Sequence, residues 1–213
     1  SRKSTDPEGG TLFFDKSALY HVHGEYTFTP SFLDKWVVGA NGRLYRPNSE
    51  GTIFKDTSGV RISNWEVGAY TGAERTFGKF KVSGAVRLDK NQNYNVLATP
   101  AASVVWNPKA NTYLRASFSS AIRNPTLSDQ YLNLNVGRAR LVGNLDGFEN
   151  LITLESLNEY RRLPGGSISI LDSFNVAPIE PEKVKTFELG ARTTLFDRLY
   201  VDAGYYYSIY TDF

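Results

Sequence analysis

The stretch Phe80-Lys81-Val82-Ser83-Gly84-Ala85-Val86-Arg87-Leu88-Asp89 changes character at every residue. Phe80, Val82, Gly84, Val86 and Leu88 form one set; Lys81, Ser83, Ala85, Arg87 and Asp89 form the other. A period of two places the sets on opposite faces of a β-strand, one dry and one wet, whereas a helix would mix them around its circumference. The same split recurs upstream. Trp65, Val67, Ala69 and Thr71 alternate with Asn64, Glu66, Gly68, Tyr70 and Gly72; Trp36, Val38, Ala40, Gly42 and Leu44 alternate with Val37, Gly39, Asn41, Arg43 and Tyr45. From Ala18 to Phe28, Tyr20, Val22, Gly24 and Tyr26 oppose Leu19, His21, His23, Glu25 and Thr27. Downstream come Leu97 to Trp106, a strand through Leu114, Ala116 and Phe118, one through Phe187, Leu189 and Ala191, and one from Leu199 to Ile209. The pattern predicts an all-β, antiparallel chain of eight strands, each of about ten to thirteen residues.

Strands of that length match the nine to eleven residues needed to cross a bilayer at a tilt, where globular strands are commonest at about five to six. The connections also alternate. They are short at Pro30 to Lys35, Glu74 to Lys79, Asn107 to Asn111 and Phe196 to Arg198, and long at Arg46 to Arg61 and about 121–181, with Lys90 to Val96 a short exception. Tight turns on one side and long loops on the other characterise transmembrane barrels. Aromatic residues gather at the short turns: Tyr26, Phe28, Phe32 and Trp36, then Phe77 and Phe80, Trp106 and Tyr113, Phe196 and Tyr200. Such amphipathic rings favour the headgroup level of a membrane. The region 121–181 is too long for an ordinary connection, so it is a functional loop or holds small elements of its own.

Composition narrows the function. The 213 residues carry 24 Lys and Arg against 22 Asp and Glu, with no dominant basic run, which argues against nucleic acid as a partner. There is no Cys, so thiolate metal sites, disulfides and cysteine nucleophiles are excluded. Mean hydropathy is −0.34 although the chain holds 13 Phe, 13 Tyr and 3 Trp. No stretch reaches eighteen apolar residues, so no helical span is expected, and no secretory signal is visible at residues 1–10. Without a Met to start it, the chain reads as a processed product or an internal segment. No nucleophile elbow, Gly-rich phosphate loop or His-Glu-x-x-His is present, so catalysis is not expected and no cofactor is implied.

From Arg115 to Leu127 the sequence Arg-Ala-Ser-Phe-Ser-Ser-Ala-Ile-Arg-Asn-Pro-Thr-Leu ends a strand in Arg-x-Pro-Thr-Leu ahead of Ser128-Asp129-Gln130-Tyr131. Here the chain resembles the barrel of TonB-dependent outer-membrane receptors. Further matches follow in the family's order: Ser83 to Asp89 with Ala98 to Pro108 upstream, Ile179 to Lys183 leading to Phe187-Glu188-Leu189-Gly190, and Ile209 to Phe213 downstream. The long loop is similar to those of Bacteroidetes receptors, which brings a surface lipoprotein among the partners to expect. The resemblance implies a 22-strand barrel of which residues 1–213 are a part, without the plug domain, in the outer membrane of a Gram-negative bacterium. It implies active uptake of a scarce ligand, such as a siderophore, metal complex, glycan or peptide. Outer-membrane lipid, the chain's own plug and the TonB complex are the implied partners. Two alternatives stay open: a complete eight-strand barrel with a structural or adhesion role, and a soluble sandwich that binds or cleaves carbohydrate.

Three residue groups are candidates for a site. Arg43, Glu66, Lys81, Arg87, Asp89, Arg115, Glu188, Arg192 and Asp202 fall on polar faces and are expected to line a wet lumen. They can contact a plug or anionic ligand, or pair across strands for at most about 1 kcal/mol each. His21, His23 and Glu25 share a strand face at spacings suited to a transition metal or zinc, or equally to a solvated wall. Arg123, Arg138, Arg140, Arg161 and Arg162 lie in or beside the long loop, where guanidinium groups suit carboxylate or phosphate capture, or simply keep the loop soluble.

Overall fold

The structure, a computed structural model, describes residues 13–57, 59–137, 139–163, 167–196 and 198–212. In chain order, β1 (Ala18–Phe28), β2 (Lys35–Arg46), β3 (Asn64–Phe77), β4 (Phe80–Asn91), β5 (Leu97–Trp106) and β6 (Thr112–Arg123) come first. Then follow α1 (Leu127–Tyr131), β7 (Asn133–Asn135), β8 (Arg140–Val142), β9 (Phe148–Ile152), α2 (Leu154–Arg162), a 3-10 turn at Ile168–Ile170 and β10 (Ser173–Val176). The chain returns in β11 (Glu182–Leu195) and β12 (Leu199–Thr211). It divides into two compact units: a strand unit of residues 17–47, 61–124 and 181–212, and a loop unit formed by the described residues of 13–16, 48–60 and 125–180.

The strand unit is one eight-stranded antiparallel sheet in the order β1-β2-β3-β4-β5-β6-β11-β12. Among the described residues no ladder joins β12 to β1, so the sheet is open and has two edges. Its register carries the alternation across the whole width without a bulge. The row Phe28, Trp36, Ala73, Gly84, Ala102, Phe118, Phe187, Tyr207 lies on the apolar face. The neighbouring row, Thr27, Val37, Gly72, Ala85, Ala101, Ser119, Thr186, Ser208, lies on the polar face and consists of small or β-branched side chains. No second layer covers the apolar face among the described residues: Val22 is 70% exposed, Leu189 60% and Tyr205 66%. Among the described residues the buried large hydrophobic side chains are Phe14 and Phe54, both in the loop unit.

Three details differ from the sequence expectation. β3 runs on to Phe77, so only Gly78 and Lys79 turn the chain into β4, and Gly78 has the positive φ that such a turn needs. The extension is hard to see because Arg75 occupies an apolar-face position. The long connection is shorter than 121–181, since β6 continues to Arg123 and β11 begins at Glu182. Tyr113 and Tyr200, grouped above with the interfacial aromatics, stand on the polar face opposite Arg192 and Thr194. Among the other short-turn aromatics, Tyr26, Phe28, Phe32 and Trp36 pack together, with Phe28 and Trp36 rings 4.8 Å apart, and Phe80 stacks on Trp106 at 5.8 Å.

The loop unit has organisation of its own. Asp56 accepts from the Ser49 amide, from Ser49 Oγ at 2.6 Å and from the Gly51 amide at 2.8 Å. Ser49 Oγ in turn accepts from the amides of Ile53 and Phe54, and Thr52 Oγ1 accepts from the Phe14 amide. This clasp gives direction to a turn in which Glu50 and Gly51 both have positive φ. Phe54 bridges to Leu132, and the Asn133 amide donates to the Ile53 carbonyl at 2.8 Å, so the clasp is tied to the segment after α1. α1 is capped reciprocally by Thr126 and Asp129, and α2 starts at Thr153 and ends with Arg161 and Arg162, charges suited to a helix C-terminus.

Burial at the clasp opposes ionisation of Asp56, but the hydrogen bonds from Ser49 and Gly51 outweigh it and hold the carboxyl below its ordinary value of 3.8. A depressed carboxyl stabilises the fold above the unfolded-state value and loses that contribution as pH falls through the folded-state value. Protease sensitivity of residues 48–60 should therefore be flat from pH 7 to about pH 4 and rise below it. Asp56→Asn should be more sensitive at neutral pH and lose the acid dependence; limited proteolysis with an acid-tolerant protease reads both.

Candidate functional site

The polar face of the sheet holds the candidate site, because the register brings most of the expected charged residues onto it. Its first node is Tyr70 on β3. The ring lies over Gly39, its register partner on β2, and a Cβ there would strike it. The Tyr70 hydroxyl donates to Glu25 Oε2 at 2.6 Å, and His23 Nε2 lies 2.9 Å from the Tyr70 hydroxyl oxygen. A hydroxyl has one proton, so with that proton on Glu25 the imidazole must donate from Nε2. His23 and Glu25 are thus joined through a phenol. Of the groups in the metal expectation at His21, His23 and Glu25, His23 Nε2 and Glu25 Oε2 are taken up by Tyr70; among the described residues no group of three or more His, Cys, Asp or Glu is placed to hold an ion.

The second node is Arg87 on β4. Its Nε and one terminal nitrogen form a fork on Asp89 at 2.7 and 2.6 Å, that same nitrogen reaches Asn41 Oδ1 at 2.6 Å, and its guanidinium lies 5.6 Å from the Tyr70 ring centre. Gly68 on β3 leaves room for this, since a Cβ there would meet both Arg87 and Asp89. The third node is Glu66 at the long-loop end of β3. It accepts from Asn91 and Asn124, each at 3.0 Å to Oε1, and from the Tyr45 hydroxyl at 3.4 Å to Oε2. One carboxylate thereby links β2, β4 and the segment just after β6.

Simpler pairs cover the rest of the face. Arg115 and Ser117 on β6 meet Glu188 on β11, Arg192 meets Asp202 on β12 at 2.9 Å, and Lys81 meets Glu74 at 3.2 Å. Arg43 stands in the register between His21 and Glu66. Between Lys35, Glu74, Ser83 and Ser117 a concavity of about 330 Å³ opens over the small residues Gly72, Ala85 and Ala101. These side chains can present hydrogen-bond donors and acceptors to a large polar surface.

The loop arginines are dispersed. Arg123 belongs to β6 and pairs with Glu182 at 3.3 Å. Arg140 lies on β8 and donates to Asn133 at 2.6 Å, and Arg161 and Arg162 end α2. Arg138 lies outside the described residues. Among the described residues no hydrogen bond, ion pair or ring contact joins Arg140 to Arg161 or Arg162. Sequence reasoning missed Tyr70, Asn41, Asn91 and Asn124. Tyr70 had a signal in Gly39 and Gly68, glycines in neighbouring strands that leave space for a large neighbour; the asparagines had none.

Asn91 is 2% exposed, so removing the Glu66 carboxylate leaves a buried donor with no acceptor. Glu66→Ala should cost about 1–3 kcal/mol, and Glu66→Gln less because its amide oxygen still accepts. Arg115→Met should cost at most about 1 kcal/mol, as its pair with Glu188 is half exposed. Urea unfolding of the full-length protein, followed by fluorescence, gives the order.

Comparison with known proteins agrees with this geometry. The fold matches the siderophore receptor PirA from Pseudomonas aeruginosa, with a TM-score of 0.63 at 15% identity over 93% of this chain and 33% of that one. The FrpB iron transporter from Neisseria meningitidis (F3-3 variant) is similar at a TM-score of 0.47 and 14% identity, over 91% of this chain and 35% of that one. The chain therefore spans about a third of the length of these proteins. No curated protein sequence matches it. The family described as TonB dependent receptor-like, beta-barrel matches residues 4–213, nearly the whole length, and so the chain belongs to the TonB-dependent receptor β-barrel family, a family of receptors and transporters and not of enzymes.

Proposed function

We propose that this chain forms part of the wall of an outer-membrane receptor that takes up a scarce ligand in a Gram-negative bacterium. The carrying observation is the unbroken register, which sorts eight strands into one apolar and one polar face while leaving the apolar face without a partner layer. On this reading the apolar face meets lipid and the polar face lines the lumen, where Tyr70, Arg87, Glu188 and Arg192 meet a plug supplied by another part of the protein. The short turns sit on the periplasmic side and the loop unit outside. Energy reaches the plug from the TonB complex, so these residues position and do not react. Arg140, Arg161 and Arg162 supply cations to an anionic ligand, and a surface lipoprotein is a further candidate partner for the outer loops. PirA is a siderophore receptor, which makes an iron chelate the first ligand to assay, ahead of glycans and peptides.

The open edges argue against a complete eight-strand barrel, because unpaired strand edges are not tolerated in hydrocarbon. A soluble sandwich would require a second sheet over Val86 and Leu189.

Because this segment has no cysteine of its own, single cysteines can map the faces in intact cells. Ser83→Cys and Ser117→Cys should react with a small water-soluble maleimide, while Val86→Cys and Leu189→Cys should react only with a lipid-soluble one. Equal aqueous labelling of both sets would overturn the membrane assignment. Loss of iron-chelate uptake on deletion of the receptor, with unchanged growth on glycans, would identify the ligand class.

A further inference from the structure

Arg43 on β2 and Glu66 on β3 are register partners on the polar face. Side chains directly opposite one another across a ladder have Cβ atoms about 5 Å apart, close enough for an Arg and a Glu to pair. Here they do not. Arg43 is exposed and makes no hydrogen bond or ion pair among the described residues. Glu66 is turned to neutral donors instead: Oε1 accepts from the side-chain amides of Asn91 and Asn124, and Oε2 from the Tyr45 hydroxyl. A carboxylate is thus held by amides and a phenol while an uncommitted guanidinium stands beside it.

The donors on Glu66 are not equally fixed. Asn91 is buried and is the register partner of Glu66 on β4, so the β3–β4 ladder holds it in place. Tyr45 lies on β2, two residues from Arg43, inside the intact β2–β3 ladder. Asn124 is the exception. It follows the end of β6, where among the described residues no ladder joins 97–100 to 120–123 and Pro100 has no amide hydrogen to offer. That strand end keeps its ladder to β11, the Arg123 contact with Glu182 at 3.3 Å, the Ser120 Oγ bond to the Pro100 carbonyl at 2.9 Å and the Asn124 bond to Glu66 at 3.0 Å.

Glu66 cannot serve Arg43 and Asn124 together. Oε1 already accepts from two N–H donors, as many as it has lone pairs. A guanidinium fork takes one site on each carboxylate oxygen, so one amide has to leave. The amide able to leave is that of Asn124.

We propose that Glu66 is a two-position latch for the outer end of β6, with Arg43 as the residue that stabilises its open position. In the closed position, seen here, Glu66 holds Asn124. In the open one, Arg43 takes the carboxylate and residues 120–124 come away from the wall. Local openings of this kind begin where a segment has few partners, as at a strand end laddered on one edge. Residues 125–180 follow directly from Asn124, so the latch sets how firmly the long connection is rooted. That the released end borders the mouth of a lumen rests on the function proposed above; the competition for Glu66 does not.

The test is hydrogen exchange of the full-length protein in mild detergent, followed by mass spectrometry on residues 120–124, with residues 114–118, laddered on both edges, as reference. Arg43→Gln takes no contact from the closed form and removes the partner of the open one, so exchange at 120–124 should slow about threefold, the size expected of an exposed ion pair. Asn124→Ala removes the latch, and exchange there should quicken about tenfold, as for loss of a hydrogen bond to a charged group. Once Asn124 is gone, Arg43 pairs with Glu66 whether the strand end is attached or released. Adding Arg43→Gln to Asn124→Ala should therefore change nothing at 120–124, and the reference should stay constant throughout. Unchanged or faster exchange in Arg43→Gln, or the same slowing with and without Asn124, would overturn the latch. If the latch behaves as expected but Ser83→Cys and Val86→Cys label equally from water, the latch stands and the lumen reading falls.

Discussion

Everything in the strand unit depends on register. Seven ladders join the eight strands, and each keeps one pairing frame from end to end. Because side chains alternate at every residue, a slip of one position in any ladder would turn all later strands inside out. Phe187 and Leu189 would then share a face with Arg87 and Asp89. The sheet resists this from both sides at once: exchanging faces would put Glu188 or Asp202 among hydrocarbon-like neighbours and Leu189 or Tyr205 in the polar network. The frame is set locally by two-residue turns such as Gly78-Lys79 and confirmed at long range by cross-strand pairs such as Arg115 with Glu188.

That dependence explains how much could be seen in the sequence. The eight strands were legible because a two-faced sheet with one dry and one wet side writes its environment into every residue. Legibility failed where a residue served the rim instead of the wall. Arg75 broke the apolar set of β3 and concealed its last turn-side residues, and Tyr113 and Tyr200 looked like boundary aromatics although the register puts them on the polar face. On the polar face, charged residues were identified as a class, but their partners were not. Which carboxylate meets which cation depends on cross-strand offsets that single-strand alternation does not contain. Tyr70 became the link between His23 and Glu25 only once β3 was paired with β2.

The loop unit was opaque for a different reason. Its elements are short, and α1 spans five residues, too few for periodicity to rise above chance. Its order comes from side chains bonding backbone, as Asp56 does with Ser49 and Gly51, and from contacts between residues 48–60 and the segment after α1. Polar, Gly-rich composition announced a loop at Arg46 to Arg61. It did not announce that Ser49, a small polar residue, would be among the most buried positions of the described chain.

The same physics locates the weakest seam in the wall. Pro100 lies within β5, and proline has no amide hydrogen to donate. β4 pairs with β5 through Pro100 and on to Leu97, but the β5–β6 ladder stops at Ala101. Beyond it, Ser120 Oγ donates to the Pro100 carbonyl at 2.9 Å in place of a backbone bond. β6 is released from β5 for its last residues while its other edge stays paired to β11 up to Arg123. At the same level Asn124 reaches past β5 and β4 to Glu66 on β3, where Asn91 also bonds. The rim thus restores with side chains the connection that the proline removes from the backbone. A long connection departs from the sheet at this seam, so the chain leaves the wall where its ladder has already been opened and its polar groups have been given other partners.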